Sequence, residues 1–135
     1  MTNLLTIAEC EGIEVFEFEL PERIKGLYYE NSIVINKRLK TNKERKCVLG
    51  EELGHYFTSV GDILNLKIES NKKQEIRARN WAIQKLVPFD ELILAHQQGY
   101  VSVYELAEYF DVTEDFMKES ILFYQRKYKR FDDYA

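Results

Sequence analysis

Cys47-Val48-Leu49-Gly50-Glu51-Glu52-Leu53-Gly54-His55-Tyr56 is the stretch from which the chain is best read. Thr41 followed three residues later by Glu44 is a capping box. A helix is therefore expected from about residue 42 to residue 58, with this stretch in its second half. On that helix Glu51 and His55 are four residues apart and project from one face. Glu52 lies between them, one turn before His55.

On the N-terminal side the pattern is that of a short helix and a small sheet. Residues 2–11 read as a helix closed by Gly12. Residues 13–20, Ile-Glu-Val-Phe-Glu-Phe-Glu-Leu, alternate apolar and acidic side chains and read as a half-buried strand ended by Pro21. Gly26–Tyr29 and Ser32–Ile35 flank Glu30-Asn31 as a hairpin. Together these predict a small antiparallel sheet. On the C-terminal side Gly61 and Asp62 break the helix, and the polar residues 69–73 lead to a second helix over 73–87 stopped by Pro88. A third helix over 89–98 closes at Gly99. Residues 102–128 read as two further helices with a turn at 111–113, and residues 130–135 as a loosely held tail.

Composition sets the frame. The chain has 135 residues, 45% hydrophobic and 31% charged, which is globular and not disordered composition. A net charge of −4 argues against nucleic-acid binding by bulk positive charge. No apolar run approaches the roughly 20 residues of a membrane helix. The N-terminus lacks a signal-peptide pattern, so Cys10 and Cys47 are expected to be reduced thiols in a cytoplasm. The fold class expected is α+β, divided as 1–99 and a C-terminal helical extension 100–135, or as one domain 1–135.

The chemistry lies in Glu51, Glu52 and His55. Two metal ligands one turn apart with a general-base Glu between them is the arrangement of the HExxH zinc helix, here with Glu in the first ligand position. A solvated Glu-Glu pair on a helix face meets the bare spacing equally well. Cys47 precedes Glu51 by one turn and reads first as a small buried hydrophobe, second as a thiolate ligand. Tyr56 reads as a half-buried Tyr before it reads as an oxyanion donor, Trp81 as core beside Ala78 and Ala82, and His96 as a surface histidine.

The wider pattern resembles the ImmA/IrrE family of small bacterial and phage-borne zinc-dependent metalloproteases. The resemblance rests on Ile33-Val34-Ile35-Asn36 before the helix and on Glu51-Glu52-Leu53-Gly54-His55 followed by an aromatic. It continues in Glu75, Ala78, Trp81-Ala82 and Leu86-Val87-Pro88 on the next helix. It covers about residues 26–88, and it implies a zincin-like core. It also implies that His55 and Glu75 ligate zinc and that Glu52 activates the bound water. Glu51 stands where the family's usual pattern has His. A carboxylate there still reaches a metal, but Glu51, His55 and Glu75 make the site about neutral instead of about +1, which acidifies water less and favours harder ions such as Mn²⁺. Without metal, Glu51, Glu52 and Glu75 crowd one cleft, and at least one is raised in pKa unless Arg77 or Arg79 supplies the cation.

Residues 104–113 resemble the first half of a helix-turn-helix, with Leu106, Ala107, Phe110, Val112 and Phe116 at packing positions. The second helix, Thr113–Ser120, carries three acids and one lysine, which phosphate repels. It reads as a packing unit or a seat for a protein partner. Arg126, Lys127, Lys129 and Arg130 read as a solvated helix end. The resemblance implies a cytoplasmic metallopeptidase of prophage or mobile-element origin whose substrate is a helix-turn-helix repressor, with no direct nucleic acid and no membrane. The alternative is a protein of the same fold that binds such a repressor without hydrolysis. Neither reading fixes an oligomeric state.

Overall fold

The computed structural model describes residues 2–59 and 71–128. The break expected at Gly61-Asp62, residues 69 and 70, and the chain from Lys129 onward lie outside the described residues. The chain divides into two compact units, Met1–Ala82 and Ile83–Ala135.

The first unit opens with α1 (Thr2–Cys10), which buries Leu4 and Ala8. Gly12 ends this turn at a φ of +72°, a conformation that costs glycine nothing. Then follow β1 (Glu14–Phe18), β2 (Gly26–Tyr29), β3 (Ser32–Asn36), α2 (Asn42–Ser59) and α3 (Asn71–Leu86), which belongs to this unit as far as Ala82. The Thr41 hydroxyl accepts from the Glu44 backbone N–H at 3.1 Å, so α2 starts where the capping pattern puts it.

The sheet is mixed, not antiparallel. Its order is β1-β3-β2, with β2 antiparallel to β3 and β1 parallel to β3. The reason is apolar burial. Ile33 and Ile35 of β3 are the most buried apolar strand residues, and a central strand is where such a pair is covered from both sides. The chain reverses once between β1 and β2 and again at Glu30-Asn31, so a β3 seated beside β1 must run parallel to it. Glu30 takes a left-handed φ of +53° in that second reversal. α2 packs on β2 and β3, burying Val48, Leu49 and Leu53.

Asn36 ties this sheet to the loop that follows β1. Its side chain is 2% exposed. Nδ2 donates to the carbonyls of Leu20 (3.2 Å), Pro21 (3.2 Å) and Ile24 (2.7 Å). Oδ1 accepts from the backbone N–H of Leu20 (3.2 Å) and Arg38 (3.0 Å). A buried amide so satisfied fixes the loop that carries the chain into β2.

In the second unit α4 (Phe89–Gln97) ends before Gly99, whose φ is +101°. A capping box at Ser102 and Glu105 starts α5 (Val103–Phe110), and the Thr113 hydroxyl caps α6 (Glu114–Lys127). Leu106, Ala107, Phe110, Val112 and Phe116 are all buried, as the helix-turn-helix-like pattern requires. Tyr124 is buried too. Its hydroxyl donates to the Val87 carbonyl at 2.7 Å, and burial pushes its pKa up to about 12. No helix among the described residues is long and apolar enough to cross a membrane.

Asn36→Ala strands several buried backbone groups at once. It is expected to cost roughly 2–4 kcal/mol of stability, read as a lower midpoint in urea unfolding.

Candidate functional site

Helices α2 and α3 approach each other at Gly54 and Ala78. A Cβ on Gly54 would run into the Ala78 backbone carbonyl, so only glycine allows the contact. A salt bridge and an imidazole–carboxylate contact flank it. Arg79 Nε lies 2.7 Å from Glu51 Oε1. His55 Nε2 lies 3.1 Å from Glu75 Oε1. One turn forward on α2, from Glu51 to His55, matches one turn back on α3, from Arg79 to Glu75, so the helices run antiparallel through the cleft. Phe57 stacks on Trp81 with ring centroids 4.9 Å apart. The i,i+4 stripe of Glu51 and His55 faces α3, and the opposite side of α2 presents Leu49 and Leu53 as core.

Glu52 is buried, 8% exposed, beside the start of β2. A Cβ on Gly26 would sit 3.1 Å from Glu52 Oε2 and 2.7 Å from Val48 Cγ1. Gly26 therefore forms the wall that the Glu52 carboxyl lies against. Burial pushes the Glu52 pKa up from 4.5 to about 7, and the neighbouring Glu75 and Glu51 carboxylates push the same way. A carboxyl that titrates near neutrality gives and takes protons at working pH, as a general acid or base must.

Each expected site residue can now be placed. His55 and Glu75 are together, although Glu75 is exposed. Glu51 lies on the same stripe but is held by Arg79. Arg79, one of the two arginines named from sequence, pairs with the site carboxylate Glu51. Cys47 is buried one turn before Glu51, and no disulfide joins it to Cys10. The Tyr56 hydroxyl donates to Glu11 Oε1 at 2.9 Å, and that bond raises its pKa, so its proton is engaged at the turn that follows α1. His96 is exposed on α4. Gly26 has no motif of its own; its place at the head of β2 was the only sequence signal for its role.

These residues do not fit a three-ligand zinc centre as they stand. His55 and Glu75 would serve as two ligands, but the third carboxylate is engaged by a guanidinium whose charge opposes a second cation. Among the described residues no group of three or more His, Cys, Asp or Glu side chains is arranged to hold a metal ion.

A family model described as Peptidase_M78: IrrE N-terminal-like domain matches residues 8–121. No curated protein matches the chain.

Two outcomes follow from this geometry. Gly54→Ala is expected to destabilise the fold by about 3 kcal/mol or more, because the obstacle is backbone, and thermal melting would read it. The raised Glu52 pKa means that the native state holds a proton more tightly than the unfolded chain between pH 4.5 and about 7. Stability should therefore fall as pH rises through that window, by roughly 3 kcal/mol at most, and level off above it. Melts of the chelator-treated protein at pH 5 and pH 8 check the sign, and Glu52→Gln should flatten the difference.

Proposed function

The chain belongs to the Peptidase_M78 family of IrrE N-terminal-like metallopeptidase domains, and from that premise we propose that it is a regulator of mobile-element or prophage origin that binds a helix-turn-helix repressor in the cytoplasm without hydrolysing it. The observation that supports this is the 2.7 Å pairing of Glu51 with Arg79. It gives the first ligand position of the zinc helix to an ion pair inside the fold. The scaffold then keeps the cleft and its surroundings for recognition. The repressor as partner follows from the family resemblance of residues 26–88.

A second reading is peptide-bond hydrolysis, and Glu52 favours it. Its pKa near 7 beside the His55–Glu75 pair is the poise of a general base. In that reading Glu52 takes the proton from the attacking water and passes it to the leaving amine.

Glu52→Gln separates the two. It keeps the shape of the side chain and removes its proton chemistry. The protein would be co-expressed with a candidate helix-turn-helix repressor from the same element, with derepression of a reporter and repressor length on a gel as readouts. Binding predicts that Glu52→Gln derepresses within about twofold of the parent and that the repressor stays intact. Hydrolysis predicts a cleaved repressor with the parent and a loss of roughly 10²–10⁴ in cleavage rate with Glu52→Gln.

A further inference from the structure

We infer that the Arg79 guanidinium is the resident cation of this cleft, and that its pairing with Glu51 is what keeps a divalent metal from being held by Glu51, His55 and Glu75. The inference deepens the non-hydrolytic reading and rests on it.

Glu75 and Arg79 are one turn apart on α3, and Glu51 and His55 are one turn apart on α2. Their side chains meet in rungs, carboxylate to guanidinium and imidazole to carboxylate. On α2 the carboxylate that shares the face of His55, and so could join it and Glu75 on a metal, is Glu51. To recruit it, the metal must take it from Arg79. The contest is unequal. A guanidinium stays charged at any working pH, so it is not released by losing a proton. Both Arg79 and Glu51 are partly buried, so water screens the pair less than it would on the surface. Once separated from Glu51, Arg79 would remain on α3 one turn from Glu75, adding a positive charge close to the incoming cation.

The residue types at the two positions also explain each other. A neutral imidazole at position 51 would take from Arg79 the carboxylate it pairs with. A carboxylate at position 51 suits Arg79, and the positive charge beside it is supplied by the chain itself. Glu51 and Arg79 therefore act as one unit, and Arg79 is a positioning residue that acts through Glu51.

Zinc titration tests this on the full chain, purified without chelator or metal affinity and compared with Arg79→Lys, Arg79→Gln and the Glu51→His/Arg79→Gln double variant. Elemental analysis and calorimetry measure zinc, and circular dichroism and melting check that each variant is folded. The parent and Arg79→Lys are expected to hold little zinc. Arg79→Gln should bind it at least about tenfold more tightly, since Glu51 is released to join His55 and Glu75. The double variant should take up about one equivalent and lose it again when His55→Ala is added. Near-stoichiometric zinc in the parent, abolished by His55→Ala, would overturn the inference. So would a folded double variant that takes up no zinc, or equal zinc affinity in the parent and Arg79→Gln. Failure of the proposed function reads out separately. A parent that excludes zinc yet leaves the repressor unbound removes that reading while the role of Arg79 stands.

Discussion

The close approach of α2 to α3 at Gly54 and Ala78 is the constraint on which the site depends. Because no side chain separates the two backbones there, the residues one turn to either side are brought within direct contact. A larger residue at position 54 would hold the helices apart by the width of a methyl group. The Glu51–Arg79 and His55–Glu75 contacts would then both be lost, since each is already at bonding distance. The sequence Glu-Leu-Gly-His is in this sense a packing motif before it is a chemical one.

The cleft gathers three carboxyl groups, and each meets a different partner or surrounding. Glu51 has the Arg79 guanidinium, Glu75 has the His55 imidazole, and Glu52 is driven toward its protonated form by burial and by the other two. These solutions are coupled. Placing Glu52 against Gly26 at the head of β2 removes it from solvent, and Asn36 fixes the loop through which the chain reaches β2. The small sheet thus acts on the cleft through one strand end.

The mixed sheet shows where a pattern stops informing. The alternation in residues 13–20 is enough to make β1 a strand, and the Glu30-Asn31 turn is enough to pair β2 with β3. Neither says which edge of the hairpin β1 joins. That is decided by the burial of Ile33 and Ile35, which makes β3 the centre and so makes its pairing with β1 parallel. Asn36 is a similar case. It was legible as the end of an Ile-Val-Ile-Asn strand, but its five hydrogen bonds reach residues up to sixteen positions earlier, and no local pattern encodes them.

Sequence by itself determined the elements and the local geometry: the capped start of α2, the shared face of Glu51 and His55, the packing positions of α5 and α6, and a family resemblance that the match over residues 8–121 bears out. These follow from helix and strand periodicity, which acts over one or two turns and needs no partner. Tertiary structure alone decided which cation meets Glu51. Arg77 and Arg79 follow Glu75 by two and four residues, and that Arg79 reaches Glu51 depends on the crossing of two helices. That crossing depends on a missing side chain at Gly54 and on the backbone of a residue twenty-four positions away, Ala78. The physical reason is range. Charge pairing across a cleft is set by the separation of backbones, and the separation of backbones is set by packing.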